Sequence, residues 1–254
     1  NAEGILYPTI KEKLIHKEDE MDIKLADNIA GSGRVPLLVE AIKLLKADIG
    51  NDVVIGSYVL GPFTLAGQIM ELNDLLKLSF KKADKVAKLL DTMAEAIIIV
   101  AKEYEKAGAD FITVREMGAT SDVLSPRVFK NLILPPLQKI IKEIKTPSVL
   151  HICGKTNDIV AFMMEAGPTG ISVEQKNDVA ETRKKLGKDA LIFGNFDPYN
   201  VLVSGDETLV RTTMRQCIDN GVSAVWPGCD IWPAVPPQNM KAMIDEITNY
   251  GGKR

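Results

Sequence analysis

The sequence predicts an α/β protein, a (β/α)8 TIM barrel represented by six of its strands. Three observations carry this. Short apolar runs alternate with helical patterns along most of the chain, the mark of a parallel sheet with helices outside it. The 254 residues, 46% hydrophobic and 26% charged, suit one large domain of that class, taken here as residues 1–254. Strand-like runs fall near 53–60, 110–116, 148–153, 170–174, 190–196 and 223–226, six where eight close a barrel. The chain opens on Asn1-Ala2-Glu3-Gly4 and not on Met, which reads as interior sequence. The expectation is therefore a barrel whose first two strands are absent from this chain. A doubly wound open sheet is the alternative, but no strand-like run is followed by a glycine-rich dinucleotide loop.

Taken in order, residues 5–30 are polar, with a short helical stretch at Ile10 to Ile15 and a solvated His16. Gly31-Ser32-Gly33-Arg34 reads as a loop, since no strand feeds it as a phosphate cradle would require. Val35 to Ala47 has helical spacing with Pro36 in its first turn. Asp52 to Leu60 is a buried strand ending in the turn Gly61-Pro62. Thr64 to Met70, Asp74 to Leu78 and the long amphipathic Phe80 to Lys106 are helical, and Gly108 stops the last. Asp110 to Glu116 is the second strand. Ser125-Pro126 opens a helix to about Lys145, expected to break near Pro135-Pro136. The remaining strands alternate with helices at Asn157 to Glu165, Val179 to Leu186, Asp206 to Asn220 and Gln238 to Tyr250.

The chemistry gathers around Ser148-Val149-Leu150-His151-Ile152-Cys153-Gly154. Side chains two apart on a strand share a face, so His151 and Cys153 project together, roughly 7 Å apart along the strand. Cys229, in Trp226-Pro227-Gly228-Cys229-Asp230, follows another strand. In a barrel the active site gathers at the C-terminal strand ends. His151, Cys153, Glu174, Cys229, Arg115 and Glu116 all fall there. One histidine, two thiolates and an exchangeable fourth position are the pattern of a catalytic zinc. A buried histidine with two inert core thiols fits the residue types equally, since free cysteine is commonly buried. Arg115 is a candidate anion donor, or else half of an internal pair with Glu116. Asn195 and Asp197, after the fifth strand, are placed to line the pocket. Cys217, inside a helix, reads as packed and inert.

Composition narrows the partners. The formal net charge is −3, and no basic stretch alternates with aromatics, which argues against nucleic acid. The apolar run Ala96 to Ala101 is too short to span a bilayer, and no longer stretch comes close. Three cysteines do not form a secreted disulfide framework. The expected setting is cytoplasmic.

At these residues the sequence resembles the uroporphyrinogen decarboxylase superfamily. Gly61-Pro62-Phe63-Thr64-Leu65-Ala66 is similar to that superfamily's turn after a barrel strand, and Leu124-Ser125-Pro126 to its next helix start. His151-Ile152-Cys153-Gly154 and Pro227-Gly228-Cys229 resemble its zinc methyltransferase branch, the methylcobamide:coenzyme M methyltransferases of methylotrophic methanogens. Cobalamin-independent methionine synthase is similar at the ligands, with less match around them. The resemblance covers the whole chain. It implies a TIM barrel of uroporphyrinogen decarboxylase type, with Zn2+ on His151, Cys153 and Cys229 and with Glu174 in the fourth place until a thiol displaces it. It implies coenzyme M as methyl acceptor and a methylated corrinoid, carried by a separate protein, as donor. Arg115 and Asn195 become substrate-binding candidates, Arg115 for the sulfonate. Trp232, Pro233 and Pro236 stand where a docking rim would be, or simply pack the last loop. A cofactor-free decarboxylase and a non-catalytic metal- or corrinoid-binding protein remain as rivals. The decarboxylase calls for an arginine cluster at the barrel mouth, where only Arg115 can be placed.

Overall fold

The computed structural model describes Ile10 and residues 12–251; the opening tetrapeptide and its reading as interior sequence lie outside them. Helix α1 (Val35–Ile49) precedes strand β1 (Gly56–Leu60). Three helices follow, α2 (Pro62–Ile69), α3 (Leu72–Lys81) and α4 (Ala83–Lys106), and then β2 (Phe111–Arg115). A helical passage of α5 (Pro126–Val128), a π turn (Phe129–Ile133) and α6 (Leu134–Glu143) leads to β3 (Ser148–Ile152). The order then runs α7 (Val160–Glu165), β4 (Gly170–Val173), α8 (Val179–Leu186), β5 (Leu191–Phe196), α9 (Glu207–Asp219), β6 (Ala224–Pro227) and α10 (Pro237–Glu246).

All six strands are parallel and pair in chain order, β1 to β6. The sheet is strongly curled. Laid flat, β2 and β6 would stand about 19 Å apart at the usual spacing of four strands. Instead the Phe111 ring on β2 lies 6.0 Å from the Trp226 ring on β6, and Phe193 on β5 lies 5.3 Å from the same indole. These rings fill the inside of an open barrel. Among the described residues β1 and β6 do not pair with each other, so the sheet keeps two edges. On the β1 side Leu37, Leu44, Val54 and Tyr58 are exposed.

Local chemistry accounts for several boundaries. Asp206 caps α9 by accepting from Leu209 N, and Asp178 caps α8 by accepting from Glu181 N. Gly108, at φ +103°, turns the chain out of α4 into β2. The apolar core lies between the sheet and its helices, with a second cluster between β5, α9 and α10.

Several expectations are corrected. The described residues of Ile10 to Ile15 form no helix; Ile15 N donates to Ile69 O beside a bridge to Met70. Strand β1 begins at Gly56, and Val53 and Val54 before it are exposed. Phe80 belongs to α3, because the backbone leaves helical geometry at Lys82. The helix after Ser125 does not break at Pro135-Pro136. Prolines at those positions leave the carbonyls one turn earlier without donors, and the π turn just upstream absorbs the mismatch, with Leu134 N reaching Phe129 O.

Candidate active site

The register sets the site. Paired residues of a parallel ladder share a face, and Arg115 on β2, His151 on β3 and Ser172 on β4 are successive partners. All three side chains therefore enter the barrel at one level. Glu116, the next residue along, points the other way.

That reversal overturns the Arg115–Glu116 pairing. Arg115 Nη2 lies 2.9 Å from Asp230, the residue after Cys229, with its guanidinium 4.9 Å from the centre of the Tyr58 ring. Burial works against the Arg115 charge, but Asp230 outweighs it and holds the guanidinium above its ordinary pKa. Glu116 is fully buried and accepts from Phe63 N (2.8 Å), Thr64 N (2.7 Å) and Thr64 Oγ1 (2.5 Å). It thus closes the N-terminus of α2, where free N–H groups favour a carboxylate. This explains the Gly61-Pro62-Phe63-Thr64 turn. A Cβ on Gly61 would lie 2.5 Å from the Glu116 carboxylate, and Pro62 opens α2 where no N–H is needed. Burial nevertheless dominates and pushes the Glu116 carboxyl up to about 7.

His151 and Cys153 come together as their spacing predicts, with Nε2 3.1 Å from Sγ. The other ring nitrogen meets Ser172 Oγ at 2.9 Å, the kind of second contact that fixes the orientation of a ligating imidazole. Burial, helped by the Arg115 charge, lowers the His151 pKa to about 4, so the ring is neutral at pH 7. Cys229, exposed on its loop, stands near enough to Cys153 for the two sulfurs to influence each other electrostatically. Burial first, then the Cys229 and Glu174 charges, push the Cys153 thiol up to about 12. The Glu174 carboxylate accepts from Gly154 N, and its other oxygen lies 3.6 Å from Lys176 Nζ.

Among the described residues no three His, Cys, Asp or Glu side chains lie close enough together to hold a metal ion as they stand; His151 touches Cys153, and Cys229 stands near Cys153. In kind these donors suit zinc. They offer a neutral imidazole nitrogen, two sulfurs and a carboxylate, the ligand types that zinc takes. Tetrahedral zinc with ordinary bond lengths would set nitrogen and sulfur about 3.6 Å apart, a few tenths of an ångström beyond the 3.1 Å observed.

A cavity of about 390 Å3 lies beside these donors, lined by His151, Cys229, Arg115, Asp230, Tyr58 and Trp226 among others. Asn195 does not line it. Its Nδ2 donates to Asn177 O (2.8 Å) and Glu174 O (3.4 Å), so its amide holds the loop after β4. Asp197 caps the turn at Tyr199 and Asn200, and Cys217 is buried on α9. Trp232 is 54% exposed and meets Tyr199 edge to face at 5.6 Å, outside the cavity. Sequence reasoning missed Ser172, Asp230 and Asn177. Ser172 was legible as the same-face neighbour of Glu174, two residues on. Asp230 and Asn177 act through contacts distant in sequence and leave no local pattern.

Comparison with known proteins bears on this geometry. The uroporphyrinogen decarboxylase (URO-D) family model matches residues 2–250. The chain belongs to that family. Within it, the chain stands with the methylcobamide:CoM methyltransferases. It is 35% identical over 218 residues to methylcobamide:CoM methyltransferase MtaA of Methanosarcina barkeri, covering 85% of this chain. It is 30% identical over 246 residues to methylcobamide:CoM methyltransferase MtbA of Methanosarcina acetivorans, covering 96% of this chain. The chain spans 64% of the MtaA sequence and 72% of the MtbA sequence. A solved methyltransferase from Methanosarcina mazei superposes with a TM-score of 0.86 at 30% identity, over 96% of this chain and 71% of that one. A B12-independent methionine synthase from Shewanella shares the fold, with a TM-score of 0.59 at 18% identity over 83% of this chain and 64% of that one. Among the described residues no helix is long and apolar enough to cross a membrane.

Proposed function

We propose that this chain carries the active site of a zinc-dependent methyltransferase that moves a methyl group from a methylated corrinoid, carried on a partner protein, to the thiol of coenzyme M. The observation that carries the reading is the His151–Cys153 contact, with Cys229 near Cys153, beside the cavity. His151, Cys153 and Cys229 would hold the ion, and Glu174 would occupy the fourth place at rest. Bound zinc would supply the positive charge that keeps a substrate thiol deprotonated and nucleophilic near neutral pH.

The chain's own residues supply the rest. Ser172 holds the His151 ring with one nitrogen facing Cys153. Gly154 N–H donates to the Glu174 carboxylate, which gives that group a resting place when a thiol enters. Arg115 presents a guanidinium to the cavity for the sulfonate of coenzyme M. Its present partner, Asp230, is 72% exposed, so exchanging that carboxylate for a sulfonate costs little. Tyr58 and Trp226 give the cavity aromatic walls beside Arg115. A decarboxylase of a polycarboxylate substrate would need several cationic side chains at this mouth, and Arg115 is the arginine that lines the cavity.

The test is elemental zinc analysis of protein purified without added metal, beside Cys229→Ala, with methyl transfer from free methylcobalamin to coenzyme M as the second readout. About one zinc per chain, lost in the variant together with transfer, is the expected result. Well-folded protein that takes up no zinc even when it is supplied would overturn the reading.

A further inference from the structure

The loops that follow β3 and β4 carry Cys153 and Glu174, and one buried side chain joins them. Asn177 is 5% exposed. Its Oδ1 accepts from Thr156 N (2.6 Å), Thr156 Oγ1 (3.1 Å) and Asn157 N (3.1 Å). Its Nδ2 donates to Gly154 O (2.8 Å) and Glu174 O (3.0 Å). The oxygen faces only donors and the nitrogen only acceptors, so the orientation of the amide is set by its neighbours and every polar site on it is used.

The consequence falls on Gly154, the residue after Cys153. Its N–H is taken by the Glu174 carboxylate and its C=O by the Asn177 amide. Gly154 adopts φ +76°, and a Cβ there would lie 2.5 Å from Thr120 Oγ1, so the loop is also closed from the β2 side. The backbone of the residue next to one proposed ligand is thus gripped at both its N–H and its C=O by the segment bearing another. Asn195 secures the same segment from β5 by donating to Asn177 O.

We propose that Asn177 is a positioning residue for the metal site: through Gly154 it sets the separation of Cys153 from Glu174, and with it the affinity of the site for its ion. This rests on the metal reading given above. No other side chain reproduces the contacts. Aspartate keeps the acceptor but turns oxygen toward two carbonyl oxygens, and alanine leaves the Gly154 carbonyl and the Thr156 and Asn157 N–H donors without the partner they have here.

The experiment is titration of the metal-free protein with Co2+, reading the thiolate-to-cobalt charge-transfer absorption and the visible ligand-field bands, with affinity from chelator competition. Asn239 provides the control. It is 3% exposed and its Nδ2 donates to Leu202 O (3.0 Å) and Gly205 O (2.8 Å), in the second apolar cluster. Asn177→Ala and Asn177→Asp should each bind cobalt about tenfold or more weakly, as removal of outer contacts to metal ligands does elsewhere, with shifted ligand-field bands. Asn239→Ala should lower the melting midpoint and leave affinity and spectrum unchanged. Should Asn177→Ala not fold, the near-isosteric Asn177→Asp decides. Asn177 variants with the wild-type spectrum and affinity, or a loss no larger than in Asn239→Ala, would overturn the proposal. A wild-type protein that shows no thiolate charge transfer would instead refute the metal reading, and the inference with it.

Discussion

Replacing Glu116 with glutamine separates a buried carboxyl's electrostatics from its hydrogen bonds. Burial holds this group at about 7 in the folded protein against 4.5 for an unperturbed glutamate. The unfolded chain therefore releases its proton first as pH rises. Between those values the folded state binds more protons, so stability is fully present below 4.5 and falls as pH climbs through 7. Integrated from pH 5 to pH 8, the loss from this one group is about 2.5 kcal/mol. Glutamine cannot titrate. Its NH2 must face one of the N–H donors of Phe63 and Thr64, which costs roughly 1–3 kcal/mol at every pH. Urea unfolding of both proteins at pH 5, 6, 7 and 8 gives the comparison. The wild type should begin the more stable, and its advantage should shrink by about 2.5 kcal/mol across the range. Parallel profiles, or a wild-type advantage that grows toward pH 8, would show that the three hydrogen bonds outweigh burial and that Glu116 is ionised throughout.

Two further substitutions test the same neighbourhood. Gly61→Ala places a methyl 2.5 Å from the Glu116 carboxylate; the clash should destabilise the fold by roughly 1–3 kcal/mol in urea unfolding, and an unchanged midpoint would mean that the α2 turn adapts freely. Asp230→Asn removes the charge that competes with a substrate anion for Arg115. Because Asp230 is largely exposed, the pair is worth at most about 1 kcal/mol. The half-saturating coenzyme M concentration should fall by up to about fivefold with little change in melting midpoint, whereas a rise would assign Asp230 to substrate binding and remove Arg115 as the sulfonate partner.

The parts of this protein that depend on local periodicity can be read from the order of its residues. Six apolar runs separated by amphipathic stretches give six parallel strands in chain order, because each strand and helix records its buried face in its own spacing. The His151/Cys153 contact follows from the same rule, since residues two apart on a strand share a face wherever the strand sits. Glu174 at the end of β4 was legible for that reason too. Tertiary structure decided what depends on how the sheet bends and how loops meet. Adjacent in sequence, Arg115 and Glu116 looked like a pair, but the pleat sends one into the barrel and the other to the start of α2. The curl of the sheet brings Asp230 to Arg115, 115 positions away in the chain, and Cys229 to Cys153. Asn195 looked free to bind substrate, yet its amide is committed to the carbonyls of Glu174 and Asn177. Asn177 joins two loops through hydrogen bonds that follow no period. Secondary structure follows from the spacing of side chains along one segment; the contacts that position this site run between segments and exist only once the sheet has curled.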